Sequence, residues 1–310
     1  MSSLSLGGRA LPVALGVIGL KRRMQDPAAL GREMSRARTR PRSPAPPWGL
    51  VRGVDIAAGV SEAGWRVYTV RPRRPSAAAS TGWRQRAVYL HGGSYIHEIT
   101  RFHWMLIANL ARTTGTEISV PIYPLAPMGT ASSVVPAATD LVKAILQVTG
   151  PKNTVLLGDS AGGGMALAVV VSLRDGGSVV PRDTVLITPW LDIALTDPAI
   201  ARIAPRDPML SVAGLHMAGV AYRGELEETD PRVSPVMADL NGLGRLTVFA
   251  GTRDILQPDA LRLREGVAAG TSGTQLELHE LAGGIHVYPL LPIPEGKAAR
   301  RIIRATITRH

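Results

Sequence analysis

Residues 154–162 read Thr-Val-Leu-Leu-Gly-Asp-Ser-Ala-Gly and place an apolar run directly before a Gly-x-Ser-x-Gly pattern. The apolar run is typical of a buried parallel strand, and Met165–Leu173 after it is long and apolar enough for a buried helix. A strand, a sharp turn with serine at its apex and a helix together indicate a nucleophile elbow at Ser160. Glycines flank the serine because a Cβ would collide in so tight a turn. The alternative is a glycine-rich turn that merely contains a serine.

Outward from this turn, strand-like and helix-like segments alternate along the chain. The strand-like segments are residues 86–90, 117–122, 154–157, 184–187, 246–250 and 275–279. The helix-like segments lie near residues 103–114, 131–148, 257–269 and 295–307. Such alternation builds a mainly parallel sheet covered by helices on both faces. The sequence therefore predicts an α/β fold with a mainly parallel, twisted sheet.

Two regions interrupt the alternation. Residues 1–50 end in a segment rich in proline (Pro41, Pro44, Pro46 and Pro47), and residues 189–235 contain several turns. An insertion that follows a strand at the carboxyl edge of a parallel sheet is well placed to cover a ligand. We therefore expect an N-terminal cap or arm over residues 1–50. The catalytic domain is expected over residues 51–310, with a helical cap inserted at about residues 189–235.

The net charge of +11 lies at the two ends of the chain. Residues 1–50 carry nine Lys or Arg against two acidic residues, whereas the part between residue 50 and Lys297 is close to neutral. This distribution argues against a nucleic-acid partner and favours solvated ends, with an acidic partner or an anionic membrane surface as the alternative. The apolar run Leu11–Leu20 is too short to cross a bilayer and lacks the order of a secretory signal. With no cysteine in the chain, we expect a cytoplasmic protein; peripheral membrane association and a homodimer stay open.

An acid and a base follow the last two predicted strands. Asp254 comes after residues 246–250, and His286 lies in the loop after residues 275–279. The carboxyl ends of parallel strands meet at one edge of the sheet, and the order Ser160, Asp254, His286 is that of the α/β-hydrolases. The spacing predicts a catalytic triad, because an activated serine needs a base and the base needs an orienting acid.

Each of these assignments has a structural alternative. Asp254 could be a turn or N-cap aspartate, with Asp259 as its rival, although Asp259 fits the first turn of a helix better. His286 could be a packed core histidine. His279 falls inside a predicted strand, where we expect a structural role, and His216 falls in the expected cap as a solvent-facing helix residue.

Residues 91–94, His-Gly-Gly-Ser, directly follow the strand at 86–90. Glycines there let backbone N–H groups turn towards a reacting carbonyl oxygen. The sequence predicts an oxyanion hole formed by Gly92, Gly93, Ser94 and Ala161, with the amides of the last three as donors. An ordinary Gly-Gly turn is the alternative, and His91 is expected to brace the loop.

These motifs together resemble the hormone-sensitive lipase-like group of α/β-hydrolases over about residues 50–310. The residues that carry the resemblance are His91-Gly92-Gly93-Ser94-Tyr95, Tyr123-Pro124-Leu125-Ala126-Pro127, Gly158-Asp159-Ser160-Ala161-Gly162-Gly163, Pro189-Trp190-Leu191-Asp192, Asp254 and His286. The resemblance implies an α/β-hydrolase fold and hydrolysis of small-molecule carboxylic esters, acetyl-type with short to medium acyl chains, through an acyl-enzyme. It implies neither a metal nor a cofactor. An amide hydrolase on the same triad and a non-catalytic ligand-binding protein are the alternatives.

The sequence departs from the family pattern at three places. Ser94 stands where the family has a third glycine, and Pro124 and Met128 replace the charged residues of the family's Tyr-Arg-Leu-Ala-Pro-Glu box. His286 is followed by Val-Tyr instead of Gly-Phe. Ser94 predicts a narrower acyl pocket, and the missing charged residues at positions 124 and 128 put in doubt a salt bridge behind the site. None of the three changes removes a catalytic group.

Overall fold

A twisted sheet of eight strands forms the centre of the part of the protein that the computed structural model describes, which is residues 4–39, 43–47, 49–73, 85–271 and 273–309. The strand order is β1-β2-β4-β3-β5-β6-β7-β8. The strands are β1 Val54–Val60, β2 Arg66–Pro72, β3 Arg86–Leu90, β4 Glu117–Ile122, β5 Thr154–Asp159, β6 Asp183–Ile187, β7 Gly244–Gly251 and β8 Thr274–Leu281. Pro41, in the proline-rich segment, lies outside the described ranges, as do two of the basic residues counted in residues 1–50, Arg40 and Arg42.

The sheet is parallel from β4 through β8 and antiparallel at its β1–β2 edge. All six residues of β5 are buried, as expected of a strand with helices on both faces. The mainly parallel sheet predicted from the sequence is confirmed. The sequence analysis missed β1 and β2, whose residues are mostly exposed or half-buried and so lack a continuous apolar run.

Helices cover both faces of the sheet. One hydrophobic cluster lies under α5, α6 and α9, and a second lies under α4 and α10. The helices are α1 Leu6–Ile18, α2 Leu20–Gln25, α3 Pro27–Thr39, α4 Arg101–Thr114, α5 Ala131–Thr149, α6 Ala161–Asp175, α7 Ala199–Ile203, α8 Val212–Arg223, α9 Gln257–Ala269 and α10 Pro294–Thr308. None of the helices in the described ranges is long and apolar enough to cross a membrane.

Two of the three N-terminal helices pack on the segment between β6 and β7. Helices α2 and α3 contact α8, and the approach is so close that a Cβ on Gly214 would lie 2.4 Å from the Met24 carbonyl oxygen. Leu30 of α3 is buried in the same cluster as the core under α5 and α6. Lys21 donates to the Asp207 carbonyl, in the chain that leads from α7 to α8. Parts of the two regions that interrupt the sequence pattern therefore pack against each other.

Candidate active site

Ser160 occupies the turn between β5 and α6. Its backbone has φ 53° and ψ −122°, a conformation that L-residues rarely adopt and that points the side chain out of the turn. A Cβ on Gly158 would lie 2.1 Å from the Gly162 carbonyl oxygen, and one on Gly162 would lie 2.1 Å from the Leu90 carbonyl oxygen. Glycine is therefore required on both sides of the serine.

Ser160, His286 and Asp254 form one hydrogen-bonded chain. The Ser160 Oγ lies 2.9 Å from the His286 Nε2, and the His286 Nδ1 lies 2.8 Å from the Asp254 Oδ2. Asp254 follows β7 and His286 follows β8, so the carboxyl ends of parallel strands bring the three side chains together. All three are at least 95% buried. This geometry lets the serine hydroxyl donate to one ring nitrogen while the other donates to the carboxylate.

The charges around His286 favour its protonated form. Burial alone would lower the pKa of His286, but the Asp254 carboxylate and its hydrogen bond outweigh burial and raise the pKa above its ordinary value. The charge of Asp207, which lies in the segment between α7 and α8, also raises the pKa of His286. Its Oδ2 accepts the Ile255 N–H at 3.0 Å, which places a second buried carboxylate behind Asp254. Burial and the neighbouring Asp254 raise the pKa of Asp207.

Thr188, at the end of β6, supports the histidine loop. Its Oγ1 accepts the Val287 N–H at 3.1 Å and lies 3.3 Å from the His286 Nδ1. Both Thr188 and Val287 have positive φ, so the two strand ends turn sharply where they meet. The threonine thus fixes the loop that presents the imidazole. Sequence reasoning missed Thr188 because no motif marks it.

The loop after β3 presents unused backbone donors next to Ser160. In the described part of the chain, the N–H groups of Gly93, Ser94 and Ala161 donate to no protein acceptor. Gly92 differs, because its N–H donates to the Asp159 Oδ1 at 3.0 Å. A Cβ on Gly92 would lie 2.3 Å from the Asp159 Oδ2 and 3.0 Å from the Ser160 Cβ. Gly92 therefore brings the loop close to the serine, and the amides of Gly93, Ser94 and Ala161 are left without a protein acceptor.

Asp159 anchors this loop from beneath. Its Oδ1 also accepts the Tyr89 hydroxyl at 2.7 Å, and its Oδ2 lies 3.1 Å from the His103 Nε2 on α4. Burial alone would raise the pKa of Asp159, but His103 and the hydrogen bonds lower it, so the carboxylate stays ionised. Sequence reasoning quoted Asp159 only as part of the Gly-x-Ser-x-Gly pattern. Its role depends on partners 56 to 70 residues away, which the local pattern does not reveal.

His91 and Tyr123 hold the other side of the same loop. Their rings stack with centroids 4.5 Å apart, and the Tyr123 hydroxyl donates to the His91 carbonyl at 2.6 Å. Burial and the neighbouring His103 lower the pKa of His91 to about 4, so its ring is neutral. The position fits the bracing role expected of His91. Met128, one of the three departures from the family pattern, is exposed and takes no part in these contacts.

The rival candidates lie away from Ser160. Asp259 is in the first turn of α9, beside Asp192 and Arg262. His279 is in β8, where its ring stacks on Phe249. His216 is exposed on α8. Among the residues that the structure describes, no three His, Asp or Glu side chains have the spacing of a metal site.

Comparisons with known proteins agree with this geometry. A family model described as alpha/beta hydrolase fold matches residues 87–290. The chain is 30% identical over 262 residues to an acetyl-hydrolase of Streptomyces hygroscopicus, and the aligned region covers 83% of each protein. It is 35% identical over 201 residues to a triacylglycerol lipase of Mycobacterium tuberculosis. The aligned region covers 64% of this chain and only 40% of the lipase. A solved esterase of the bacterial hormone-sensitive lipase family superimposes with a TM-score of 0.75 at 26% identity, covering 90% of this chain and 97% of that one.

Proposed function

The chain belongs to the alpha/beta hydrolase fold family, with relatives among the hormone-sensitive lipase-like esterases, and from that premise we propose that it is a serine carboxylic-ester hydrolase. The observation that carries the proposal is the hydrogen-bonded chain from Ser160 through His286 to Asp254 beside three unused amides. A nucleophile, a base, an orienting acid and oxyanion donors are the parts that acyl transfer needs.

The reaction begins when the Ser160 Oγ attacks the ester carbonyl carbon and passes its proton to the His286 Nε2. Asp254 accepts the hydrogen bond from the Nδ1–H and stabilises the imidazolium. The amides of Gly93, Ser94 and Ala161 receive the negative charge on the former carbonyl oxygen. His286 then protonates the leaving alcohol as the carbon–oxygen bond breaks, which leaves an acyl group on Ser160.

Water completes the turnover at the same groups. His286 takes a proton from the water as its oxygen attacks the acyl carbon, and the same three amides hold the second oxyanion. Collapse releases the carboxylic acid and returns the proton to the Ser160 Oγ. Both steps move protons along Ser160, His286 and Asp254, which are already within hydrogen-bond distance of one another, so these three side chains need little reorganisation.

We propose esters with short to medium acyl chains, including acetyl esters, as substrates. Beside the start of α6, the rings of Tyr95 and Tyr222 stack with centroids 3.5 Å apart, and Trp190 packs against Tyr95. All three side chains are buried, and the Tyr95 hydroxyl lies against Gly164 in the first turn of α6, so the rings fill the space beside that turn. The acetyl-hydrolase name of the Streptomyces relative supports the same substrate class. Hydrolysis rates over p-nitrophenyl esters of increasing acyl length measure this acyl-length limit directly.

Substitution of Ser160 tests the proposal. Ser160→Ala should lose hydrolysis of p-nitrophenyl acetate by about 10⁶-fold and lose labelling by a fluorophosphonate, because no other group takes the acyl intermediate. Ser172→Ala on the same helix is the matched control; its hydroxyl donates only to the Ala168 carbonyl, so it should keep both properties. Equal labelling of Ser160→Ala and the wild type would overturn the assignment.

A further inference from the structure

Helix α1 is apolar on the side that faces solvent as well as on the side that faces the protein. Leu6 is 85% exposed and Val13 is 68% exposed, and Ala10 and Ala14 are exposed between and beside them. The spacing of residues 6, 10, 13 and 14 puts them on one stripe of the helix. Within α1 the one charged residue is Arg9, which lies at the edge of this stripe. A helix that is apolar all round is normally covered on every side.

The opposite side of α1 already has its partners. Gly8 and Pro12 are buried there, and Ser5, which caps the helix, donates to Glu295 through both its N–H and its hydroxyl. Leu4 packs against Gly283, where a Cβ would lie 2.6 Å from the leucine Cδ1. These contacts hold α1 on α10 and on the loop that leads to His286. The described residues therefore leave the stripe largely uncovered.

Positive charge lies directly after the helix. A cavity of about 320 Å³ opens between the end of α1 and the chain that connects α7 to α8, and Lys21, Arg22, Arg206 and Arg253 line it. In the described residues, no carboxylate lies within ion-pairing distance of any of the four. Asp207 also lines the cavity, but its carboxylate accepts three backbone N–H groups instead. Lys21 donates to the Ala204 and Asp207 carbonyls and Arg253 donates to the Arg206 carbonyl, so these two cations are held at the cavity by neutral acceptors that leave their charge uncompensated.

We propose that the exposed stripe of α1 and these four cations form a docking surface for a lipid layer with anionic headgroups. An amphipathic or apolar helix beside a basic cluster lies in the plane of such an interface, with its apolar side chains below the headgroups. Anionic phosphates then lie at the level of the cations. At 13 residues the helix is about 20 Å long and lies along the layer without crossing it.

Helix α1, which carries the proposed docking surface, lies at the same edge of the sheet as Ser160. Leu4 contacts Gly283, three residues before His286, so α1 is at the carboxyl edge of the sheet. The docking proposal rests only on the exposed stripe of α1 and the four cations, and it does not depend on the proposed ester hydrolysis. A measurement of binding therefore tests it separately from activity.

Co-sedimentation of the full chain with vesicles tests the surface. Vesicles of phosphatidylcholine and phosphatidylglycerol in equal parts should bind the protein, and vesicles of phosphatidylcholine alone should bind it much more weakly. The double variant Leu6→Ser/Val13→Ser should lower the partition coefficient by about tenfold or more, because two apolar side chains no longer enter the layer. Arg22→Ala should lower it about fivefold on the anionic vesicles only.

Val148→Ser is the matched control. Val148 is 76% exposed at the end of α5, beside the start of β5 and so at the opposite edge of the sheet, and its loss should leave binding unchanged. Equal binding of the Leu6/Val13 variant and the wild type, or no binding of the wild type to anionic vesicles, overturns the proposal. A wild-type dimer that the Leu6/Val13 variant abolishes, in the absence of vesicle binding, would assign the stripe to a second copy of the chain and also overturns it.

Discussion

At the scale of single residues, Asp254 controls both the orientation and the protonation of His286. Its Oδ2 holds the ring through Nδ1, and its charge is the main reason that the pKa of His286 is raised. The base must be neutral to accept the Ser160 proton. The same carboxylate that orients the imidazole therefore moves the acid limit of activity to higher pH.

Asp254→Asn should lower kcat by about 10³- to 10⁴-fold, because an amide favours the wrong tautomer of the imidazole. The residual activity should also change its pH dependence. Once the carboxylate charge is gone, burial lowers the pKa of His286, so the acid limb of kcat/KM should move to lower pH. A pH profile of p-nitrophenyl acetate hydrolysis measures both effects. An unchanged acid limb would show that Asp254 does not set the protonation of the base.

The meeting of the three proposed reactive residues could be predicted from the sequence, but the residues that support them could not. Ser160, Asp254 and His286 each follow a strand, and parallel strands bring their ends to one edge. Asp207 reaches Ile255 across 48 residues, and Asp159 reaches His103 across 56. No periodicity links such positions, because they meet only when the loops of different strands fold over one another.

At the scale of elements, Asp259 of helix α9 is buried beside Asp192, in the segment after β6. Burial, followed by the neighbouring Asp192, raises the pKa of Asp259 to about 8, against an ordinary aspartate value of about 3.9. The folded chain therefore keeps a proton there that the unfolded chain has already lost. The protonated Asp259 carboxyl group makes its full contribution to the free energy of unfolding below about pH 4. This contribution is lost as the pH rises to about 8.

Asp259→Asn should remove this pH dependence, since the amide is neutral throughout. The free energy of unfolding of the wild type should fall relative to that of the variant between about pH 4 and pH 8, with a slope of up to about 1.4 kcal/mol per pH unit. Urea unfolding at several pH values measures the difference. Asp175→Asn, at an exposed carboxylate of α6, is the control that should follow the wild type. Parallel curves for wild type and Asp259→Asn would contradict the shift.

The strands of the sheet also differ in whether a local sequence pattern predicts them. Strands β3 to β7 are short apolar runs between helices, and β8 alternates polar and apolar residues, so these strands could be predicted from the sequence. The β1–β2 hairpin could not, because β1 has one buried residue and Ala57-Ala58-Gly59 interrupts any alternation of polar and apolar residues. Its pairing with β4 through β2 depends on register across the sheet and not on a local pattern.

At the scale of the whole molecule, the C-terminal helix is tied to the middle of the sheet by Asp183. This fully buried carboxylate begins β6 and contacts Arg182, Arg245 and Arg309. Arg182 also donates to the carbonyls of Thr306 and Ile307, near the end of α10. One basic residue of the C-terminal tail is thus paired inside the fold, and only part of the terminal charge counted from the sequence is available to a partner.

Asp183→Ala should therefore destabilise the protein by about 3–5 kcal/mol, because three guanidinium groups lose their shared buried counter-charge. Asp175→Ala breaks an ion pair of the same type, between Asp175 and Arg174, but its carboxylate is 58% exposed and the cost should be about 1 kcal/mol or less. Urea unfolding of both variants gives the comparison, and protease cleavage near residue 300 reports whether α10 has detached. Because Asp183 begins β6, at the end of that strand remote from Ser160, the folded fraction of Asp183→Ala should keep the wild-type KM. Equal destabilisation by the two substitutions would mean that Asp183 does not hold the C-terminal helix on the sheet.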